Sequence, residues 1–396
     1  MPIRNSIQDM QEELAGYRRE MHRHPQTAFE ESFASDLVAE KLTLWGIPFE
    51  RGIGQTGIVA TIAGEKTGSG KSIGIRADMD ALDIPEDENK EWVSTIPGKM
   101  HGCGHDGHTS ILLGTAKYLH ENKNFNGVVH LIFQPAEETG GGAKAMMADG
   151  LFTRFPCDAV YAMHNWPYAP LGRIEVNPGP AMAHVDTFEI LITGRGGHAS
   201  KPHTCVDPIV IAAQIITALQ TVISRTKDPF EPGVLSVTNI NGGTGAFNVT
   251  PDCVRFSGTV RTYSHSLRQK IEDRITQISE SIAADFGAKA TCLYEHLIDA
   301  TINDPAQAAF CIGVAERVVG KDSVCRDAPP SMGGEDFGAF LEHCPGAYIK
   351  MGQANPVSQE SPCNRGLHNP GYDFNDDLIP LAIEYWASLV EEALPL

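Results

Sequence analysis

Residues 101–120, HGCGHDGHTSILLGTAKYLH, place Cys103, His105 and His108 within six positions among glycines, immediately ahead of an apolar helical stretch. Thiolate and imidazole suit borderline ions such as Zn²⁺ and Mn²⁺, and Gly102, Gly104 and Gly107 let the backbone turn sharply enough for Cys103 and His105 to converge. Outward from this stretch, apolar runs over 58–63, 73–77, 128–133 and 159–163 read as buried strands, alternating with helices over 33–45, 109–120 and 142–149. Such alternation predicts an α/β fold around a mostly parallel sheet. The chemistry falls at strand ends: Asp78 and Asp80 follow one strand, Glu137 and Glu138 another, and His164 a third. In open α/β sheets those carboxyl ends are where ligand sites form.

From about Ala183 the pattern changes. A strand over 184–193, a helix over 207–225, strands over 235–240 and 253–262, a helix over 266–286 and a strand over 289–295 make a ferredoxin-like βαββαβ unit. Its first helix is marked by Ile209, Ala212, Ala213, Ile216, Leu219 and Val222, with Pro202 and Pro208 punctuating the entry. After Asp304 the α/β pattern resumes, with helices over 305–319 and 376–394. The expected organisation is one domain of residues 1–183 and 297–396 interrupted by an inserted domain of residues 184–296.

Composition narrows the function. The chain has 396 residues, 42% hydrophobic and 20% charged, enough for two domains with real cores. A formal charge of -19 opposes nucleic-acid and anionic-membrane surfaces and leaves small-molecule chemistry. The nine cysteines contain no CxxC pair, which points to a reducing, cytoplasmic compartment. At the N-terminus Ile7, Met10, Leu14, Tyr17 and Met21 fall at helical spacing, so a first amphipathic helix is expected there and no export signal. No apolar run reads as a membrane span. The segment GEKTGSGKS, residues 64–72, imitates a phosphate loop but has Glu65 where the first glycine belongs, and reads as a glycine-rich hairpin turn.

The ordered run of REMHRHPQ, RADMDAL, GCGHDGHT, QPAEE, MHNWP, GRGGHASKPH, NVTPD, GTVRT, GGEDFG and LHNPGYDFND resembles the dinuclear metal amidohydrolases. That family includes hippurate hydrolase, N-acyl-amino-acid amidohydrolases and auxin-conjugate hydrolases. The resemblance implies a zinc-peptidase-like catalytic domain with an inserted lid and dimerisation domain, and a homodimer or homotetramer. It implies that Cys103 bridges two divalent ions, with Glu138 and His368 on one and His105 and His164 on the other, and that Glu137 is the general base. Where the wider superfamily has His-x-Asp, this chain has Asp78-Met79-Asp80, and Cys103 stands where a bridging carboxylate is usual. Asp80 is then expected to orient a ligand imidazole. The soft thiolate suits Zn²⁺ or Mn²⁺, with Co²⁺ or Ni²⁺ also allowed.

In the inserted domain, the resemblance implies that His198, Asn248 and Arg261 stabilise the oxyanion or hold the substrate carboxylate, with Gly333 and Gly334 offering backbone N–H groups nearby. His198 is expected just beyond a strand, and Asn248 and Arg261 at strand ends. The expected activity is hydrolysis of N-acyl-L-amino acids of hippurate or indole-acetyl type, without nucleic-acid or membrane partners. The alternatives are a metallo-dipeptidase, a deacetylase of an N-acetylated amino acid and, more remotely, a metal-binding protein without catalysis.

Overall fold

The computed structural model describes residues 2–87 and 90–396, which divide into two compact units. The first comprises residues 1–181, 301–330 and 335–396, and the second residues 182–300 and 331–334.

The first unit is built on an eight-stranded sheet in the order Phe49–Ile53, Gly57–Ala63, Val128–Gln134, Ser72–Asp78, Ala159–Pro170, Gly346–Ala354, Ile174–Glu175 and Val324–Cys325. Ser72–Asp78 is parallel to both of its neighbours, and Gly346–Ala354 is parallel to Ala159–Pro170. The alternation of side chains sorts two faces. Ile73, Ile75, Ala77, Val129, Leu131, Phe133, Tyr161 and Met163 enter one core with the helices Gln11–Arg23, His105–Glu121, Pro305–Val319 and Leu378–Ala393. Arg76, Asp78, Gln134, His164 and Tyr348 alternate onto the other face, so a polar cluster lies against the sheet itself.

Three details differ from the sequence reading. Residues 64–72 do not close a hairpin, because Val128–Gln134 lies between the strands they connect. The loop crosses the end of that strand instead, with Lys66 bridged to Asn126. The N-terminal amphipathic stretch forms two helices, Asn5–Gln8 and Gln11–Arg23. The central strand Gly346–Ala354 was not anticipated, since its sequence GAYIKMGQA sets a lysine and glycines among the apolar residues that mark buried strands.

The second unit has a four-stranded antiparallel sheet in the order Gly233–Gly242, Cys253–Thr262, His184–Thr193 and Lys289–Ile298. Helices Pro208–Thr221 and His265–Asp285 cover one face, burying Phe188, Ile190, Phe256, Ile215 and Ile271. Each large apolar side chain so buried contributes about 1.5–3 kcal/mol. Helical geometry continues to Thr226, and the 19 residues Pro208–Thr226 are long and apolar enough to cross a membrane by length and composition alone, a property that core helices share. Ile211, Ala212, Ile215 and Leu219 of this helix face the sheet core.

A buried ionic network fixes the helix Gln11–Arg23 against the start of His105–Glu121. His22 lies 2.8 Å from Asp106 through Nδ1 and 2.8 Å from Glu86 through Nε2, while Arg18 reaches Asp373 at 3.0 Å and Asp106 at 3.8 Å. Burial opposes charge on His22, but Asp106 and Glu86 outweigh it and raise the imidazole above its ordinary range. Replacing Asp106 by Asn leaves His22 with Glu86 and Arg18 with Asp373 and Asp376 but removes the carboxylate that links them, so the Asp106→Asn variant is expected to lose about 1–3 kcal/mol of stability. Denaturant unfolding checks this, and a loss below about 1 kcal/mol would show that the pair is not a major support.

Candidate metal centre

The helix His105–Glu121 begins at Gly104, whose φ of 91° lies in the left-handed region. A Cβ there would stand 2.6 Å from both Asn165 Oδ1 and Tyr372 Oη. The turn therefore demands glycine on two counts, and it sets Cys103 and His105 on either side of the same corner. Two other site-forming residues, Ala136 and His368, also have positive φ, at 51° and 61°. Such strain persists only where the surroundings over-determine it, and here it aims Glu137 and the His368 imidazole. The backbone N–H of His368 donates to Gly102 O at 2.8 Å, tying the loop near the chain's end to the Cys103 turn.

Among the overlapping groups of donor atoms, two share Cys103. Cys103, His105 and His164 bring a ligand atom each to within 4.8 Å of one another, and so do Cys103, Glu138 and His368. Cys103 Sγ lies 3.4 Å from His164 Nε2, and His368 Nε2 lies 3.5 Å from Glu138 Oε1. His164 donates its Nδ1–H to Asn165 O at 2.7 Å, which leaves Nε2 as a lone pair facing Cys103. Asp80 spans the two groups: one oxygen is 3.2 Å from His105 Nδ1, and the other accepts the Glu138 backbone N–H at 3.0 Å.

Whether a cation fits can be read from the orphaned atoms. His105 Nε2 and Glu138 Oε1 are buried with no hydrogen-bond partner among the described residues, 3.9 Å apart. An unsatisfied buried acceptor is costly unless something absent completes it. Burial, then Glu138 and Glu137, pushes the Cys103 thiol well above its ordinary range, so a bound cation has to displace its proton. Burial and the neighbouring His108 hold His164 well below the usual imidazole range, in the neutral form that ligates. Sulfur, imidazole and carboxylate donors around these orphaned atoms fit divalent transition ions.

The adjacent glutamates are driven apart. Glu137 is raised well above the usual carboxylate range by burial and then by Glu335 and Glu138. Burial also opposes charge on Glu138, but His368 and His105 hold it below that range. His108, grouped with Cys103 and His105 by sequence spacing, is engaged at both nitrogens, 2.6 Å from Asp78 Oδ1 and 2.7 Å from Asn165 Oδ1.

Behind Glu137 lies a cluster to which the sequence reading assigned no role. Arg76, fully buried, donates to Gln134 at 2.9 Å, to Asp78 at 2.7 Å and to Asp336 at 3.1 Å, and pairs with Glu335 at 3.0 Å. Its signal was an arginine inside the otherwise apolar strand Ser72–Asp78.

In the second unit, His198 sits in the short strand Gly197–His198 opposite Val249, and the Ala199 N–H donates to Asn248 O at 2.9 Å, so His198 and Asn248 lie close together across a two-stranded antiparallel pair. Arg261 stands elsewhere in that unit, next to the last residue of the strand Cys253–Thr262 and opposite Val185. It lines a cavity of about 460 Å³ with Thr187, Thr259 and Glu295, and its Nη1 is buried without a hydrogen-bond partner among the described residues. Gly334 is explained by packing, since a Cβ there would meet Val185 at 2.7 Å.

The Gly104→Ala variant should push Asn165 or Tyr372 away and disturb His164 through its neighbour. We expect a folded chain whose affinity for divalent metal falls roughly 10- to 100-fold. Metal titration with an unfolding control checks this, and native affinity would show that the turn tolerates a side chain.

A sequence model of peptidase family M20/M25/M40 matches residues 74–392. The chain is 38% identical to hippurate hydrolase of Campylobacter jejuni over 383 residues, covering 97% of each protein. It is 36% identical to N-acetylcysteine deacetylase of Bacillus subtilis, covering 95% of each. Among solved structures, a dinuclear metal-binding peptidase of the M20 family from Bacillus subtilis superposes with a TM-score of 0.83 at 33% identity, covering 98% of this chain and 99% of that one.

Proposed function

Because the chain belongs to peptidase family M20/M25/M40, we propose that it is a two-metal amidohydrolase cleaving the amide bond of N-acyl-L-amino acids into a carboxylic acid and a free amino acid. The observation that carries this reading is the pair of donor groups sharing Cys103, with Glu137 beside them, close to His105 and Glu138 on one side and to Glu335 and Asp336 on the other. Glu138 and His368 would hold one ion, His105 and His164 the other, and Cys103 both. When bound, two divalent ions lower the pKa of water towards neutrality and polarise the amide carbonyl. Glu137, as carboxylate, takes the attacking water's proton and returns it to the leaving amine, and burial with the neighbouring acids raises its affinity for that proton. Asp80 orients His105, and Arg76 with Asp336 and Glu335 holds the wall behind Glu137.

The donor set favours Zn²⁺ or Mn²⁺, with Co²⁺ and Ni²⁺ as allowed substitutes. The free cysteines suit a cytoplasmic location. We also assign to the inserted domain, residues 184–296, the role of a lid and dimerisation domain whose His198, Asn248 and Arg261 hold the reacting carbonyl or the substrate carboxylate.

Variants at the adjacent glutamates test the chemistry. Glu137→Gln is expected to lower turnover of N-acyl amino acids by about 10²- to 10⁴-fold with metal retained. Glu138→Gln and Cys103→Ala should instead lose at least one ion per chain, read by metal analysis. Swapped outcomes for the two glutamates would reverse their roles, and native metal content with full activity in Cys103→Ala would remove that thiol from the site.

Subunit mixing tests the assembly. If His198 serves the partner's site in a dimer, combining inactive His198→Ala and Glu137→Gln chains yields heterodimers with one site intact in both residues, recovering about half of a wild-type dimer's activity. No recovery after verified exchange would mean that His198 acts within its own chain.

A further inference from the structure

Beyond the metal ligands, the strand Ala159–Pro170 continues through Trp166 and Tyr168, for which the hydrolytic reading has no use. Lys350, on the neighbouring parallel strand, is paired in register with His164, so the two side chains leave the same face of the sheet. Trp166, two residues beyond His164, shares that face, with its ring centroid 6.5 Å from that of His164. The Lys350 ammonium sits 4.3 Å above the centre of the Trp166 ring. Tyr168 packs edge-on to Trp166 at 5.0 Å, and the Tyr168 hydroxyl stands 2.9 Å from where a Cβ on Gly366 would lie, two residues before His368. An aromatic wall with a cation set into it therefore runs outward from one metal ligand to the loop that carries another.

The state of that cation is unusual. Lys350 is only 4% exposed as a residue, with its ammonium not sealed from solvent, and among the described residues it has no hydrogen-bond or ion-pair partner, the indole face being its close contact. Glu175, opposite it on Ile174–Glu175, is the carboxylate acting on it, but lies beyond ion-pair distance and pairs with Arg173 at 3.4 Å. Lysine is almost never this buried without a partner, because the desolvated charge is not repaid. A cation–π contact returns only part of that cost. An anion supplied from outside the fold would return more.

Resting on the amidohydrolase reading, we propose that Lys350 is a specificity-determining residue that reads a second carboxylate on the substrate, distinct from the α-carboxylate, with Trp166 and Tyr168 packing against the chain that carries it. The carboxylate can belong to an acidic amino acid or to a dicarboxylic acyl group, and matched substrate pairs separate the two. N-benzoyl-L-glutamate against N-benzoyl-L-glutamine places the extra charge on the amino acid, and N-succinyl-L-alanine against N-butanoyl-L-alanine places it on the acyl group.

With metal-loaded wild-type enzyme, one pair is expected to show kcat/KM higher for the charged member by roughly 10- to 100-fold, carried by KM, the scale of a charge-assisted hydrogen bond. In Lys350→Met the ratio within that pair should fall to about one, whatever happens to the neutral member, and Lys350→Arg should keep part of it. A ratio near one in both wild-type pairs would overturn the proposal even if the variants fail to fold, and so would a ratio that survives in Lys350→Met. Calorimetric binding of the matched products, glutamate against glutamine and succinate against butanoate, reads the subsite without turnover. Charge-selective binding with no hydrolysis would sink the amidohydrolase reading alone, whereas hydrolysis without charge selectivity would sink the Lys350 subsite alone.

Discussion

An excess of buried negative charge governs the first unit. Asp78, Asp80, Glu137, Glu138, Glu335 and Asp336 gather at one end of the sheet, and Arg76 is the fixed cation among them. His105 adds a second positive group: burial opposes its charge, but Asp78, Asp80 and Glu138 raise it to about 10. Removing so many carboxylates from water costs far more than one guanidinium returns, so the arrangement is tolerable only if protons or further cations enter it. The protein deals with the two ends differently. Around Arg76 the acids are hydrogen-bonded, with Asp336 raised above its ordinary range by burial despite Arg76 and Asp78 held well below its own against burial, chiefly by Arg76. Around Cys103 the donors are left open and point at one another.

The strained backbone follows from the same demand. Converging donors from distant segments cannot all be delivered by regular elements, and the left-handed residues Gly104, Ala136 and His368 occur where the chain leaves regular geometry to aim a side chain. Their surroundings hold them there: the Cys103 turn is bonded to the His368 backbone, and the Glu138 backbone is bonded to Asp80. Around His164, the contacts of Asn165 with His108, Tyr372 and Gln353 lock the strand end in place. The donors are thus preorganised by a shell of hydrogen bonds, with little left to loop flexibility.

Much of this was legible in the residues. Apolar runs located Ser72–Asp78, Val128–Gln134 and Ala159–Pro170, and the acids fall at the ends of the first two; His164, expected to end the third, lies inside it, because that strand runs on to Pro170. Cys103 and His105 were readable from their glycines. What spacing could not reveal was partnership. His108 resembles a ligand until Asp78 and Asn165 are seen to occupy both of its nitrogens. Arg76, Glu335 and Asp336 meet only through tertiary structure, across more than half the chain. The connection over 64–72 misled because its glycines report a turn without reporting which strands it joins. Gly346–Ala354 escaped because Lys350 interrupts the apolar signature of a buried strand, and that same interruption is what gives the strand a chemistry of its own.

The order in which these strands are made has a cost. Ala159–Pro170 and Ile174–Glu175 are nearly contiguous in the chain, yet Gly346–Ala354 lies between them in the sheet. A ribosome adding 5–20 residues each second takes roughly 10–35 s to reach it. Throughout that interval the edge that carries His164 has its eventual neighbour missing, and an unpaired strand edge is a template for pairing with another chain. The donor cluster around Cys103 is incomplete as well, since His368 is made later still. A nascent chain thus carries an incomplete centre and an open edge together, which places the hazard of misassembly in the time before the last strand is threaded home.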